Sequence, residues 1–169
     1  MPGRRLLPVT FAAVLCGGLS ACAPLQQVFQ VPQVAVENIR LTRLTLPGGL
    51  GAAPVADLSV TLRVTNPNPL PLRLANLGGA LVVDGFEVGQ VSFPNVALPA
   101  RGEALQPAEL SIPVSLNTAA SFLKVARGQL VTYRLDGQFS ADLGPLGLQA
   151  FGPFTLAQGQ WKQPAILPF

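Results

Sequence analysis

The chain has 169 residues, 49% hydrophobic and 11% charged, with eleven basic residues, eight acidic ones and no histidine. Without histidine there is no Ser-His-Asp or Cys-His relay and no imidazole to hold a metal, and no basic stripe offers the footprint that nucleic acid needs. Both cysteines, Cys16 and Cys22, fall near the N-terminus, so the body of the chain must fold on its apolar core alone.

Arg4 and Arg5 precede a mostly apolar stretch, Leu6 to Leu15, and then Leu19-Ser20-Ala21-Cys22. These are the basic start, apolar middle and small-residue site of a secretory signal, and the apolar run is too short and too glycine-punctuated for a spanning helix. The Leu-Ser-Ala-Cys tetrad resembles the bacterial lipobox. That resemblance implies cleavage between Ala21 and Cys22, a diacylglycerol on the Cys22 thiol and a fatty acyl group such as palmitate on its amine. The plainer reading of Cys22 is a buried or free thiol. Several acyl chains anchor stably, because each buried CH₂ contributes about 0.8 kcal/mol and one chain alone is marginal. Residues 1–21 then leave as the signal, Cys16 with them, and taking Arg4 and Arg5 from the eleven basic residues leaves nine against eight acids. Part of the high isoelectric point, about 9.4, therefore belongs to the leader. Residues 22–33, rich in glutamine and carrying Pro24 and Pro32, read as a lipidated tether.

Val34 to Leu46 reads as a first strand, closed by a Gly/Ala/Pro loop from Pro47 to Pro54. Ala56 to Val64 alternates most cleanly, with 56, 58, 60, 62 and 64 apolar and Asp57, Ser59, Thr61 and Arg63 on the other face, as a half-buried antiparallel strand does. It runs into Asn66-Pro67-Asn68-Pro69-Leu70-Pro71-Leu72. Proline fixes φ and pushes the preceding residue out of the helical basin, so this segment is extended. Three prolines two residues apart strip one lateral edge of N–H donors and predict an edge that cannot template another strand. Asn66 and Asn68 interrupt a core-facing stripe that resumes at Leu70, Leu72 and Leu74, and are read as caps of the backbone at a corner rather than as a ligand site.

Leu70 to Val83 continues extended, with an irregularity expected at Gly78-Gly79, and Asp84-Gly85 marks a hairpin turn. Phe86 to Val91 answers as a strand, Phe93 to Leu98 as a short one, and Pro99-Ala100-Arg101-Gly102 turns the chain. Glu103 to Leu116 is a strand that Pro113 places at an edge. One helix follows over Thr118 to Arg127, with Asn117 as its cap, Phe122, Leu123 and Ala126 on its apolar face, and Gly128 as the left-handed stop. Val131 to Phe139 and Leu148 to Leu156 are the last strands, joined by the turn Gly144-Pro145-Leu146-Gly147, and an apolar tail runs from Trp161 to Phe169. Short strands with regular turn signals and one helix point to a mainly β fold, a β-sandwich.

The strand into Asn66-Pro67-Asn68-Pro69-Leu70, then Asp84-Gly85 with Val88-Gly89, Leu98-Pro99-Ala100-Arg101-Gly102, Ile112-Pro113-Val114 and Tyr133-Leu135-Gly137, resembles the water-stress and hypersensitive-response (WHy) domain. That domain belongs to the late embryogenesis abundant type 2 group, and the match runs from Val34 to Trp161. The resemblance implies an immunoglobulin/fibronectin-III-like antiparallel sandwich of about seven strands with one α-helix over residues 34–161, leaving 162–169 as a tail. It also implies a role in tolerance of desiccation, with Asn66, Pro67, Asn68, Pro69 and Leu70 as structural motif and no catalytic residue.

Two carboxylate pairs, Asp84 with Glu87 and Asp136 with Asp142, are weighed for acid/base work, but their turn positions favour solvated loop acids. Gly48-Gly49-Leu50-Gly51 lacks the helix and lysine of a phosphate cradle. No enzyme, cofactor or metal is expected. The function this supports is a membrane-anchored, stress-protective module of the bacterial cell envelope, lying on the periplasmic or outer face. Its partners are the membrane through the anchor and partially unfolded clients or an envelope protein. The alternative is a constitutive assembly or lipid-binding lipoprotein, using a cleft near Phe122, Tyr133 and Phe139 or the tail at Trp161, Ile166, Leu167 and Phe169. For both surfaces ordinary packing is the plainer reading.

Overall fold

The computed structural model describes residues 29–45, 53–144 and 147–167; Ala21, Cys22, the first part of the tether and the Gly48–Gly51 loop lie outside them. Seven strands and one helix follow in order: β1 (Gln33–Thr45), β2 (Val55–Thr65), β3 (Leu72–Val83), β4 (Phe86–Leu98), β5 (Glu103–Pro113), α1 (Leu116–Ala126), β6 (Val131–Asp142) and β7 (Leu148–Trp161). They form two antiparallel sheets, β1-β2-β5 and β4-β3-β6-β7, the expected sandwich. β2 sets the pattern, since Ala56, Leu58, Val60, Leu62 and Val64 are all within 2% of full burial while the residues between them are partly exposed.

The interior divides into two apolar clusters. One holds Leu62, Val64, Leu74, Leu77, Leu135 and Phe139, and the other Leu41, Leu58, Leu81, Phe122, Val131 and Trp161. Between them Gly79 on β3 faces Gly137 on β6. A Cβ on Gly137 would fall on the Gly78 carbonyl oxygen, and one on Gly79 on the Asp136 carbonyl oxygen. Glycine is required there by the close approach of two backbones. The irregularity expected at Gly78-Gly79 is instead displaced: the register shifts lie at Leu74/Asn76 and Leu81/Val82.

Several boundaries differ from the sequence reading. Phe86–Leu98 is one strand, because Val91, Ser92 and Phe93 keep alternating buried, exposed, buried. β7 runs on to Trp161, past the Gly152-Pro153 break in its pattern. The helix begins at Leu116, capped by Ser115 and not Asn117. Ser115 is extended (φ −89°, ψ 169°), its hydroxyl accepts the Thr118 N–H and Thr118 answers to the Ser115 N–H, a reciprocal capping box. Gly128 stops the helix at φ 74°, as predicted. Ser115→Ala is expected to cost about 1 kcal/mol and Asn117→Ala almost nothing, measured by urea unfolding.

β1, β5, β4 and β7 are the rims of the two sheets. Pro107 and Pro113 sit on β5, Pro94 on β4 and Pro153 on β7, while β1 has register breaks at Val36/Asn38 and Leu41/Arg43. The prolines at 67, 69 and 71 guard no rim. Residues 66–71 lie outside both ladders, crossing from β2 in one sheet to β3 in the other.

Candidate functional site

The corner at 66–71 is the most heavily hydrogen-bonded irregular segment of the described chain. Asn66 is fully buried. Its backbone N–H donates to the Gly102 carbonyl at 2.8 Å, and its Nδ2 donates to the carbonyls of Leu70 (2.9 Å) and Pro99 (3.0 Å). Its Oδ1 accepts the N–H of Asn68 at 3.0 Å and the Asn68 side-chain amide at 2.9 Å. Asn68 in turn exchanges two 2.8 Å bonds with the backbone of Gln30. The two asparagines thus supply the backbone partners that the prolines remove, which is the capping role read from the sequence. Leu70 departs from the expected stripe: at 60% exposure it points to solvent and contributes only its carbonyl. With every polar group of the two side chains engaged internally, the corner is a joint and not a ligand site.

The carboxylate pairs separate. Asp84 reaches Lys124 Nζ at 2.9 Å and accepts the Thr132 N–H at 3.0 Å, tying the hairpin to α1, whereas Glu87 accepts only from Gln90 at 3.5 Å. Asp136 and Asp142 are six residues apart on β6, about 20 Å along the strand, and Asp136 is held by Thr155 and Arg134. Neither pair has acid/base geometry. Among the described residues, no three acids, cysteines or histidines gather into a metal site, and no helix is long and apolar enough to cross a membrane.

These contacts set the acid response. Burial opposes ionisation of Asp84, but Lys124 and Thr132 outweigh it and hold its carboxyl below the ordinary value. Ser111 and Arg43 do the same for Asp57, and Thr155 and Arg134 for Asp136. Across the β1-β2-β5 face, Glu37 and Glu103 hold the Arg63 guanidinium above its usual range. Carboxyls depressed in the folded state stabilise it above their unfolded pKa near 4 and lose that contribution as pH falls through the lowered values. The melting temperature is therefore expected to stay level from pH 7 to 5 and to drop below about pH 4, with a shallower drop in Asp84→Asn.

Of the three aromatics taken as a possible cleft, Phe122 and Phe139 are core, while Tyr133 is partly buried, packing on the second cluster and lining a surface depression on β6. Phe122 and Phe139 are buried in different clusters. Phe139 stacks on Phe151 at 5.1 Å, and Phe151 on Phe29 at 5.1 Å, so the chain just before β1 is packed on the sandwich. Most of the described tail packs too: Trp161 is buried and Leu167 lies against the second cluster. Gln163 donates to and accepts from the Leu41 backbone, and the N–H groups of Ile166 and Leu167 donate to the Ala126 carbonyl. The Ile166 side chain, by contrast, is exposed, and Phe169 lies outside the described residues.

One surface was not anticipated. Leu44, Pro54, Val114, Leu116, Ala119 and Leu123 line an open apolar groove of about 490 Å³ beside α1. Leu116 is 97% exposed. The signal was present in the sequence as a second apolar stripe, Leu116, Ala119 and Leu123 at helical spacing, but Leu116 reads there as the end of a strand. The groove lies at the Val55 end of β2 and the asparagine corner at the Thr65 end, so the two are separated by the length of that strand, about 36 Å.

A family sequence model, described as Late embryogenesis abundant protein and denoting type 2, matches residues 61–162, more than half of the chain. None of the curated proteins matches it. Among solved structures, the solution structure of a late embryogenesis abundant (LEA) protein is 18% identical, with a TM-score of 0.52, covering 85% of this chain and 78% of that one. The solution structure of an Arabidopsis thaliana protein is 17% identical with a TM-score of 0.48, covering 79% of each chain. A crystal structure of an Archaeoglobus fulgidus protein is 12% identical with a TM-score of 0.41, covering 76% of this chain and 97% of that one. The first of these shares the sandwich fold.

Proposed function

Because this chain belongs to the late embryogenesis abundant protein family, type 2, we propose that it is a lipid-anchored, non-enzymatic stress-protective protein of a bacterial cell envelope. The family suggests the stress role, and the lipobox at Leu19-Ser20-Ala21-Cys22 supports the anchor. The sandwich acts as an interaction module for partially unfolded proteins, which expose the apolar segments that folded proteins bury.

The observation that carries the client reading is the groove around Leu116. Anchored through Cys22, the domain is held from the end where Gln30 meets Asn68, and the groove lies at the other end of β2. An apolar surface directed away from its own bilayer suits clients in the surrounding compartment better than lipid. A strain lacking the protein is expected to lose viability on drying relative to its parent, with rescue by the wild-type gene and weaker rescue by Leu116→Ser. Equal survival of the deletion strain after drying, cold and heat would defeat the stress reading. Cys22→Ala is expected to release the protein from the membrane fraction.

A further inference from the structure

We propose that the outer face of the β4-β3-β6-β7 sheet binds a neutral saccharide chain laid along β3. Leu77, Leu81 and Val83 point into the core, so alternation turns Gly78, Ala80 and Val82 to solvent. This central strand is almost bare. Its neighbours are taller: Ser92 and Gln90 of β4 stand opposite Gly78 and Ala80, and Gln138 and Asp136 of β6 stand opposite the same two residues. The result is a trough of about 320 Å³ whose walls include Asn76, Gln90, Ser92 and Gln138, with Pro153 beside them.

The chemistry of the walls selects the ligand. None of the residues lining the trough itself is charged, and the Asp136 and Arg134 side chains beside it are paired with each other, so a phosphate or carboxylate would find no unmatched counter-charge. Amides and hydroxyls both donate and accept, the complement of sugar hydroxyls. Ser92 Oγ donates to Asn76 Oδ1 at 3.0 Å, which leaves Asn76 Nδ2 and the Ser92 lone pairs for a ligand. The Gln138 amide has no hydrogen-bond partner among the described residues. Asp136 next to the trough is occupied by Arg134 at 2.6 Å and Thr155 at 2.8 Å, so its charge is already matched. The Ala80 methyl and the Pro153 ring offer the apolar contact that the C–H face of a pyranose needs.

A second, separate depression of about 500 Å³ lies over Val82, Thr132, Tyr133, Arg134, Gln158 and Gln160 and is not part of the proposed site. From Asn76 to Ala80 the floor is about 13 Å long, room for more than one sugar ring. An extended peptide would add to a sheet at a rim, not across its face.

The inference is independent of the stress role and is tested on the purified full-length chain. Labelled with ¹⁵N, it is titrated with three neutral tetrasaccharides: maltotetraose, cellotetraose and tetra-N-acetylchitotetraose. Saturable shifts are expected at Gly78 and Ala80 and at the side-chain amides of Asn76, Gln90 and Gln138 for at least one sugar, with a Kd of about 1 mM. Ala80→Leu, which fills the floor from a solvent-facing position, is expected to abolish them. Gln138→Ala is expected to weaken binding about tenfold and decides the matter if the first variant misfolds. No localised shift with any of the three sugars at millimolar concentration would overturn the proposal. So would shifts that neither substitution changes.

Discussion

Asn66→Ala is expected to destabilise the domain by about 3–4 kcal/mol, read as a lower urea midpoint with an unchanged slope. The lost side chain strands the carbonyls of Leu70 and Pro99 and the N–H of Asn68. Each buried polar group left without a partner costs about 1–3 kcal/mol, less where water can enter. Asn66→Asp separates hydrogen bonding from size. It keeps the shape and the acceptor for Asn68 but sets a carboxylate against two carbonyl oxygens, so it is expected to be nearly as damaging at pH 7 and milder once protonated. A neutral result for Asn66→Ala would mean that the prolines alone define the corner.

Phe139→Ala is expected to cost about 3–5 kcal/mol. Phe139 is 1% exposed, stacks on Phe151 and meets Phe154 edge-on at 6.0 Å. Its removal opens a cavity and breaks the relay that pins Phe29 to the sandwich. The segment before β1 is therefore expected to become more accessible to protease cleavage in the variant, a readout that a core defect elsewhere, such as Phe122→Ala in the other cluster, would not share. Equal cleavage in both variants would refute the relay.

Local chemistry was readable wherever one segment carries its own signal. Ala56 to Val64 alternates because one face of β2 is sealed and the other wet. Asp84 and Gly85 both take positive φ (48° and 87°), as a tight hairpin demands, and that dipeptide announces it. Gly128 stops α1 for the same reason. Ser115 escaped because two acceptable caps stand two residues apart, and only the Thr118 partner distinguishes them. Other features depend on residues far away in the chain. Gly79 cannot announce Gly137, Gln163 cannot announce Leu41, and Leu70 loses its place in the stripe because the corner breaks the two-residue period. The apolar groove needed three separate segments to be brought together, and the sheet-face trough needed the register of three strands.

The spoiled rims of both sheets carry a consequence for a cell that is losing water. As its volume shrinks every solute is concentrated, and two copies of a mainly β protein meet ever more often, border to border. Proline on three of the borders and broken register on the fourth deny a second copy a continuous row of donors and acceptors to extend. Crowding then brings the borders together without giving either sheet a strand to recruit.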